Sequence, residues 1–548
     1  MNTITSPLVP DVSVVLISYN DAARLPRALA VLQHQTHRNI EIIVVDDAST
    51  DGTSELVAAA AAADGRIRQV VLAANSGGCS GPRNRGIDEA RGTWVMFCDS
   101  DDEYTNDGVA ELMRAAEQSN ADLGCGVAER FYLRESRGYP WRPELHEPRI
   151  MATIMDFPDL IADTISVNKI YRRSWLIATG IRFPEGLLYE DQLFTMEAFT
   201  AARTIVVIPE TTYRWNVAAE SNQQSITQRR TELRNVTNRI EINRRIDTFL
   251  TGLELPGLTE IKGRKFLTHD LPASLAAVLL VNDEDAAPIV EVLAEYARDI
   301  DVKLIGEIPP INKVAVGCLL RGDIAGIRNV IRYLRWTYVI DVPITAEGER
   351  HYWGAPTDLV EPPMLGHDAR WWREVTALGL QAVPFARQRL CHLLIEFAVN
   401  GDEVTLSGST VDPFAMFGKV VAANFVMLQG ANVVLARLPM AWEQVDVNKW
   451  QWRATGSIVA TGLDRARIGQ RGVFGVELQT GTEANVRTVH MGKMSEPNFV
   501  MAWPGRFFGR ASGLTIYPSR RGTIAWRSSP SRAQLSIARI LGRGRGRG

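Results

Sequence analysis

Cysteine is scarce in this chain, and no two cysteines stand close together in the sequence. Five occur in 548 residues, at positions 79, 98, 125, 318 and 391, and none forms a Cys-x-x-Cys pair. This spacing disfavours a structural zinc site and a disulfide framework, and it indicates a reducing compartment.

Long apolar runs are missing as well. No stretch of 18 or more uninterrupted apolar residues occurs, so no transmembrane helix is expected. The first ten residues lack the basic and apolar regions of a signal peptide. With the cysteine pattern, these features predict a cytoplasmic protein, with the inner face of the membrane as a second location to test.

What is present is an ordinary globular composition, with 46% hydrophobic and 22% charged residues and a net charge of −3. A chain of this length is expected to form about three domains. No Gly-x-Gly-x-x-Gly motif follows the first apolar run, which argues against a dinucleotide-binding dehydrogenase.

The first hundred residues alternate between apolar runs and helical patterns. Apolar runs occur at 12–18, 40–45, 67–72 and 94–97, with helical spacing over 22–34, 49–63 and 82–90 between them. Runs of Val and Ile separated by helices are typical of a parallel sheet covered on both faces. Ligands of such α/β folds bind beyond the carboxyl ends of the strands.

The most informative segment is the acidic run that follows the fourth strand. Asp99 and Asp101 are two residues apart, so an extended chain points them to the same side. Two neighbouring carboxylates repel each other unless a cation joins them, and Mg²⁺ or Mn²⁺ prefers oxygen ligands and often brings phosphates. The alternative is a simple acidic turn, because Asp and Ser are common turn formers.

The rest of the chain changes character twice. Residues 231–345 show helical patterns, and residues 346–530 show short alternating stretches separated by Gly, Asn and Asp turns. We therefore predict an α/β domain over 1–230, a helical linker region over 231–345, and a β-rich domain over 346–530. Regular short strands suggest an immunoglobulin-like sandwich in one or two domains.

A basic tail completes the sequence. From Gly505 onward there are ten arginines and no acidic residue, and residues 531–548 are expected to form a basic, disordered tail. The tail suits either peripheral contact with an anionic membrane or partner, or simple solubilisation. Nucleic acid is not expected as a partner, because removing these arginines leaves a net charge of −13 on the rest.

Six segments in this order resemble the family 2 glycosyltransferases, which have a GT-A fold. They are Val12–Asn20, Val44–Thr53, Asn75–Gly86, the Asp-x-Asp run Phe97–Asp102, Asn168–Arg173 and Tyr189–Phe194. Each match is short, but six in family order over about 185 residues are specific. The resemblance implies that residues 1–230 form a Rossmann-like GT-A domain that binds a nucleotide-diphosphate sugar, with UDP as the expected nucleotide. The region over 231–345 would then be a linker or acceptor-side region, and the β-rich domain over 346–530 would serve oligomerisation or acceptor binding.

The resemblance also implies roles for individual residues. The base, ribose and diphosphate of the donor would contact a set of residues in the matching segments, and Asp101 with Asp99 would bind Mn²⁺ or Mg²⁺. The donor set is Ser18, Tyr19, Asn20, Asp47, Arg83, Asn84, Asp99, Ser100, Lys169 and Arg214. For Lys169 a surface lysine is an equal alternative. Arg214, and Ser225–Thr227 further on, resemble the segment that closes over the diphosphate.

The same resemblance identifies Asp191 as the catalytic base of a single inverting displacement. A helix beginning at Glu190 is compatible with this role, because acidic residues suit a helix start.

The arrangement of these regions further resembles the poly(ribitol phosphate) glycosyltransferases, which decorate wall teichoic acid and often form trimers. No QxxRW motif follows the matching region, so transfer of single sugars to a preformed, polymeric hydroxyl acceptor is expected. A peptide, a lipid-linked glycan or a small metabolite remain alternative acceptors. A protein that binds nucleotide-sugar or glycan without turnover is the alternative of another class.

Overall fold

The structure is a computed structural model. It describes residues 9–133, 135–217, 231–335, 340–400, 403–429, 433–446, 448–457, 471–481, 483–491, 501–507, 510–518 and 524–530. The chain divides into two compact units, one made of residues 1–274 with 291–300 and the other of residues 275–290 with 301–548.

The first unit is built on a mixed ten-stranded sheet. Its strands are β1 Val12–Ser18, β2 Ile40–Asp46, β3 Ile67–Val71, β4 Trp94–Asp99, β5 Glu103–Tyr104, β6 Leu123–Tyr132, β7 Arg137–Pro140, β8 Arg149–Met151, β9 Lys169–Arg172 and β10 Ile205–Val217. Their order is β3-β2-β1-β4-β9-β6-β10-β5, with β7 paired to β6 and β8 to β10. The α/β nucleotide-sugar fold expected from the sequence is confirmed.

Strand register places the polar strand ends side by side. Strands β1, β2 and β4 are parallel, with Ser18 opposite Asp46 and Ile17 opposite Asp99. All seven residues of β1 and of β2 are buried, because both faces of the sheet are covered. The carboxyl ends of these strands therefore meet at one edge, where the sequence predicts a ligand.

Helices cover this sheet and continue along the chain. Those of the first 252 residues are α1 Leu25–Gln33, α2 Thr53–Ala63, α3 Ser80–Glu89, α4 Gly108–Gln118, α5 Arg173–Thr179, α6 Glu190–Ala201 and α7 Leu233–Gly252. Helix α3 packs closely on β1, because a Cβ on Gly86 would lie 2.1 Å from Val15 Cγ1. Only glycine permits this approach, which fixes the position of the α3 side chains above the strand ends.

The helical part beyond α7 is less regular than its sequence suggests. It contains α8 Pro256–Lys265, α9 Leu271–Leu275, α10 Asp283–Arg298, α11 Val302–Glu307, α12 Pro310–Leu320, α13 Ile324–Arg335 and α14 Ala369–Arg373. Within the region predicted to be helical, α9 follows a π-helical turn at Phe266–Asp270 and is continued by a 3₁₀ helix at Ala276–Leu279. Pro272 has no backbone N–H and so cannot complete a regular α-helical ladder there.

The second unit contains the expected β-rich region. After the hairpin β11 Ile344–Glu347 and β12 Arg350–Trp353 come β13 His392–Asn400, β14 Glu403–Val411, β15 Ala422–Gln429, β16 Val433–Asp446, β17 Lys449–Ser457, β18 Arg471–Gln479, β19 Ala484–Met491, β20 Met501–Phe507, β21 Arg510–Pro518 and β22 Ile524–Pro530. The last ten form one sheet, antiparallel except for the β13–β19 pair, and an additional β15–β18 pairing closes part of it on itself.

The tail at 531–548, predicted to be disordered, lies outside the described residues. No helix in the described part of the chain is long and apolar enough to cross a membrane.

A charged cluster lies inside the first unit, beside β9. The Lys169 ammonium is fully buried and donates to Asp163 Oδ2 at 2.8 Å, to Asn168 Oδ1 at 2.9 Å and to the Ile165 carbonyl at 2.6 Å. The His146 ring contacts the same Asp163 oxygen at 3.2 Å. The lysine therefore satisfies a buried carboxylate and holds the 163–169 segment against the sheet.

We predict that Lys169→Met lowers the free energy of unfolding by about 3–5 kcal/mol, because the buried Asp163 carboxylate loses the ammonium group that compensates its charge. The double variant Asp163→Asn with Lys169→Met should lose less, because neither charge remains. Denaturant titration measures both. Equal losses in the two variants would contradict this assignment of the cost to the uncompensated carboxylate.

The same cluster predicts a pH dependence. Burial favours a higher pKa for Asp163, but Lys169 and His146 outweigh it and lower the pKa to about 2 from the usual 3.8. A lowered native pKa stabilises the fold above the unfolded value, so this contribution should be lost as the pH falls from about 4 through 2. Unfolding free energies across that window should fall less steeply in Asp163→Asn than in the wild-type protein.

Candidate active site

A cavity of about 520 Å³ opens beyond the carboxyl ends of β1, β2 and β4. Seven of the residues predicted to form the site line it: Ser18, Tyr19, Asp47, Asp99, Ser100, Asp101 and Asp191. The lining also includes Ile17, Asn75, Gly77, Gly78, Cys79, Pro82, Asp102, Ile165, Val167, Leu188, Tyr213 and Trp215. The metal and base residues implied by the resemblance thus face one space.

One buried arginine joins three carboxylates at this cavity. Arg83, on α3, donates from one terminal nitrogen to Glu190 and to Asp191, both at 2.7 Å. Its other terminal nitrogen donates to Asp99 at 2.8 Å. The guanidinium also lies over the Phe183 ring, 5.2 Å from its centroid. Arg83 therefore links α3, the end of β4 and the start of α6.

Glu190 and Asp191 lie beside the same positive charge, and the pKa of each is shifted. Burial and the neighbouring Asp191 raise the pKa of Glu190 to about 7, although Arg83 opposes the shift. Burial also raises the pKa of Asp191, against the effect of Arg83. A carboxyl group with a raised pKa in a cavity is suited to accept a proton during a reaction.

The helix start holds Asp191 in place. Tyr189 has a φ of +68° immediately before α6, and this turn directs the first helical residues toward the cavity. The Asp191 carboxylate accepts hydrogen bonds from the Ser166 hydroxyl at 3.0 Å and from the Ser166 backbone N–H at 3.3 Å. With Arg83 on the same carboxylate, the orientation of Asp191 is fixed from two sides.

Hydrogen bonds from β10 hold the turn after β4. The buried Asp102 accepts from the Tyr213 hydroxyl at 3.0 Å and from the Asn216 backbone N–H at 2.8 Å. Asp101 is partly exposed, and Arg24 donates to it at 3.0 Å. Asp102 therefore supports the turn while Asp101 is presented to the cavity, a division of roles that the sequence pattern alone did not separate.

Asp99 and Asp101 fit a divalent cation whose remaining ligands would come from a diphosphate. Asp99 and Asp101 both line the cavity, and burial together with the Asp99 charge raises the pKa of Asp101. This mutual repulsion is what a bound cation relieves. Within the described ranges, no three His, Cys, Asp or Glu side chains converge as a complete protein-only metal site. Two carboxylates and phosphate oxygens are a common Mg²⁺ set.

Asp47 follows β2, lines the cavity and organises the neighbouring loop. Its carboxylate accepts from the Ser76 N–H at 2.8 Å, the Ser76 hydroxyl at 2.9 Å and the Asn75 amide at 3.0 Å. Gly77, which follows, has a φ of +81°. Hydrogen bonds to Asp47 therefore place a glycine loop on the cavity wall, where backbone can approach a ligand closely.

Arg83 and two other predicted donor-site residues lie behind the cavity instead of on its wall. Asn84 exchanges two hydrogen bonds of 2.9 Å with the backbone of Phe183, so it ties α3 to the chain before α6. Lys169 is the buried partner of Asp163 described above. Among the described residues, none of these three lines the cavity. Asn84 and Lys169 support the framework that carries Arg83 and Asp191.

Asn20 and Arg214 are also absent from the described lining. The Asn20 side chain accepts from the Thr50 N–H at 2.7 Å, and its backbone adopts a φ of +48°. Arg214 donates to Glu129 at 2.8 Å. The segment Ser225–Thr227, which resembles the part closing over a diphosphate, lies outside the described residues.

Several lining residues carried little sequence signal. Ile165 and Val167 are ordinary apolar residues in a loop, which the Asp163–Lys169 pair and a hydrogen bond from the Tyr104 hydroxyl to the Val167 carbonyl hold at the cavity. Tyr213 and Trp215 flank Arg214, to which the resemblance assigned the role in this part of the chain. Strand alternation would have identified them, because residues 213 and 215 face one side of β10 and Arg214 the other.

Residues 13–180 match the family model described as Glycosyl transferase family 2. The chain is 31% identical over 224 residues to the putative glycosyltransferase EpsH of Bacillus subtilis, covering 39% of this chain and 62% of that protein. It is also 31% identical over 222 residues to the poly(ribitol-phosphate) beta-N-acetylglucosaminyltransferase TarS of Staphylococcus aureus, covering 39% of this chain and 36% of TarS. The chain thus spans less than two thirds of these curated relatives.

Solved structures agree on the fold. The crystal structure of S. aureus TarS 1–349 in complex with UDP-GlcNAc matches with a TM-score of 0.52 at 23% identity, covering 65% of this chain and all of that one. A structure of S. aureus TarS matches with a TM-score of 0.50 at 18% identity, covering 95% of this chain and 85% of that one. Residues 13–180 of this chain are thus similar to glycosyl transferase family 2.

Proposed function

We propose that this protein is an inverting glycosyltransferase that moves a single sugar from a UDP-sugar to a hydroxyl group of a cell-surface polymer such as wall teichoic acid. The observation that carries the proposal is that Asp99, Asp101 and Asp191 line one cavity at the strand ends. A cation-binding pair and a candidate base in one space are the groups that such a transfer needs.

In the proposed reaction, Asp191 accepts the proton of the acceptor hydroxyl while that oxygen attacks the anomeric carbon. Arg83 and Ser166 hold the carboxylate in position for the transfer. The bond from the anomeric carbon to the diphosphate breaks as the new bond forms, so the sugar centre inverts and an α-linked donor gives a β-linked product. No covalent intermediate on the protein is needed.

Asp99 and Asp101 would hold Mn²⁺ or Mg²⁺, which when bound neutralises charge on the departing diphosphate. The surrounding residues complete the donor site. Tyr19 and Asp47 lie on the wall nearest the β1 and β2 ends, where a uracil and ribose would bind, and Gly77 and Gly78 also line the cavity. Arg83 couples the metal residue Asp99 to Asp191.

The choice of UDP-sugar and polymer rests on the relatives. TarS has been crystallised with UDP-GlcNAc, and the names of several relatives specify poly(ribitol-phosphate) as acceptor. A peptide, a lipid-linked glycan or a small metabolite would require the same donor chemistry. Trimer formation through the β-rich region over 346–530, and membrane contact through the basic tail, are parts of the proposal that only solution experiments address.

The first test of the proposed function concerns the sugar donor and the metal. With Mn²⁺ present and no acceptor, the wild-type protein should slowly release nucleotide diphosphate from one member of a panel of UDP- and GDP-sugars. Asp101→Ala should abolish this release, because a cation ligand facing the diphosphate is lost. Nucleotide detection by chromatography measures both. The absence of release and of binding for every donor would favour a non-catalytic binding protein.

The second prediction concerns the base. Asp191→Asn should lower the rate of transfer by about 10²- to 10⁴-fold while leaving donor binding intact, because the amide cannot accept the proton. Glu197→Gln, on the same helix but outside the described cavity lining, serves as the matched control. Comparable losses in both variants would mean that α6 has been disturbed and would remove the support for Asp191.

The pH profile gives a third test. Burial raises the pKa of Asp191 above the usual 3.8 despite Arg83, and a base must be deprotonated to act. Transfer should therefore decline on the acidic side at a pH higher than an ordinary aspartate would give. The profile of kcat/KM for the wild-type protein measures this limb, and Asp191→Asn should flatten it.

A further inference from the structure

The sheet edge beside the cavity carries a row of arginine and aromatic side chains. In the register of β10, β6 and β7, Trp215 is opposite Arg130, and Arg130 is opposite Tyr139. Two residues farther along, Tyr132 is opposite Arg137. Residues opposite each other, or two apart on one strand, point to the same face of a sheet. These five residues are here called the arginine–aromatic face.

The side chains of this face contact one another. The Arg130 guanidinium lies over the Trp215 ring at 4.9 Å from its centroid, and the Arg137 guanidinium lies over Tyr139 at 4.8 Å. The Tyr132 and Tyr139 rings are 5.7 Å apart and nearly perpendicular. The face is thus a continuous surface of stacked cations and rings, and 43% of Tyr139 is exposed.

The charge on this face is not neutralised within the part of the chain that the structure describes. There, neither Arg130 nor Arg137 forms an ion pair, and both side chains are exposed. The opposite face of the same strands provides a contrast, because Arg214 lies over Phe131 and is paired with Glu129 at 2.8 Å. The alternation of the strands therefore separates one neutral face from one that keeps two available guanidinium groups.

The arginine–aromatic face begins at the cavity. Trp215 both lines the cavity and is the first ring of the row, so the face continues from the cavity wall across three strands. A molecule whose one end reaches the cavity would extend over Arg130 and Arg137. This position suits an elongated acceptor better than the nucleotide donor, whose metal-binding residues lie on the β4 turn.

We propose that the arginine–aromatic face is the surface that binds the phosphodiester-linked polymer proposed above as the acceptor. This inference rests on the proposed function and adds to it the surface and the chemistry that select the acceptor. The guanidinium fork binds phosphate oxygens through paired hydrogen bonds. The rings offer apolar area against which the carbon backbone of a polyol or sugar unit packs.

The spacing supports a repeating ligand. Arg130 and Arg137 are diagonal neighbours on antiparallel strands, an arrangement that separates Cβ atoms by about 7–8 Å. Two flexible arginine side chains at that separation can reach consecutive phosphates of one chain. A neutral glycan would leave both charges without a partner, so the charge complementarity of the face favours a phosphate polymer.

The test uses the full-length protein with a ribitol phosphate polymer as the probe. Binding is measured by calorimetry at two salt concentrations for the wild type and for Arg130→Gln with Arg137→Gln. The control is Arg203→Gln, an exposed arginine just before β10, at the other end of that strand from Trp215. Slow donor hydrolysis without acceptor is recorded for all three proteins, because it reports on the donor site alone.

We expect the double variant to bind the polymer roughly tenfold more weakly, with a shallower salt dependence and unchanged donor hydrolysis. In transfer assays, KM for the polymer should rise while kcat is kept. Tyr139→Ala should weaken polymer binding without changing its salt dependence. Arg203→Gln should match the wild type in every assay.

Unchanged polymer binding in the double variant would overturn the proposal, as would equal weakening in Arg203→Gln. Tighter binding of single-stranded RNA or of neutral dextran than of the polymer would also overturn it. Donor hydrolysis separates the two levels of inference. If the wild type hydrolyses a donor but does not bind the polymer, the acceptor face is wrong and the transferase stands. If it binds the polymer through these arginines but turns over no donor, the acceptor face stands and the proposed transferase activity is wrong.

Discussion

The arrangement of the site depends on the buried guanidinium of Arg83. It is the only charge that joins α3, the end of β4 and the start of α6 among the contacts described above, and its three carboxylate partners include a proposed metal ligand and the proposed base. Removing such a cation from a buried cluster leaves uncompensated negative charges, which costs far more than a surface ion pair. The cluster therefore holds Asp99 and Asp191 at a fixed separation before any substrate arrives.

Much of the first unit could be predicted from periodicity. The Val- and Ile-rich runs became β1, β2 and β3, and the acidic run came at the end of β4, because buried parallel strands leave a strong local pattern. The convergence of Asp99, Asp101 and Asp191 was implied by resemblance alone. Nothing in the periodicity indicates that β9 inserts between β4 and β6, since that order depends on pairings between residues far apart in sequence.

The predictions were least informative where a charged residue has a buried partner. Lys169 was predicted to be a ligand of the sugar donor or a surface lysine, but it forms a buried ion pair with Asp163, six residues earlier. The sequence does not show that this loop folds back on itself. Asp102 is similar, because its neighbour Asp101 is nearly the same in pattern while Tyr213 and Asn216 hold Asp102 in the interior. The left-handed backbone conformation that directs α6 occurs at Tyr189, which is not a glycine, so the sequence carries no signal for it.

The hydrogen bonds of Asp102 also carry a kinetic consequence. Trp215 stands between Tyr213 and Asn216, and both of these residues donate a hydrogen bond to Asp102, next to Asp101, the proposed cation ligand. In the proposed reaction, a displacement of that turn by metal and diphosphate would be transmitted through these two hydrogen bonds to the strand that carries Trp215. Such a linkage would favour a compulsory binding order, with the nucleotide first and the polymer second, and departure of the diphosphate would then weaken the binding of the product.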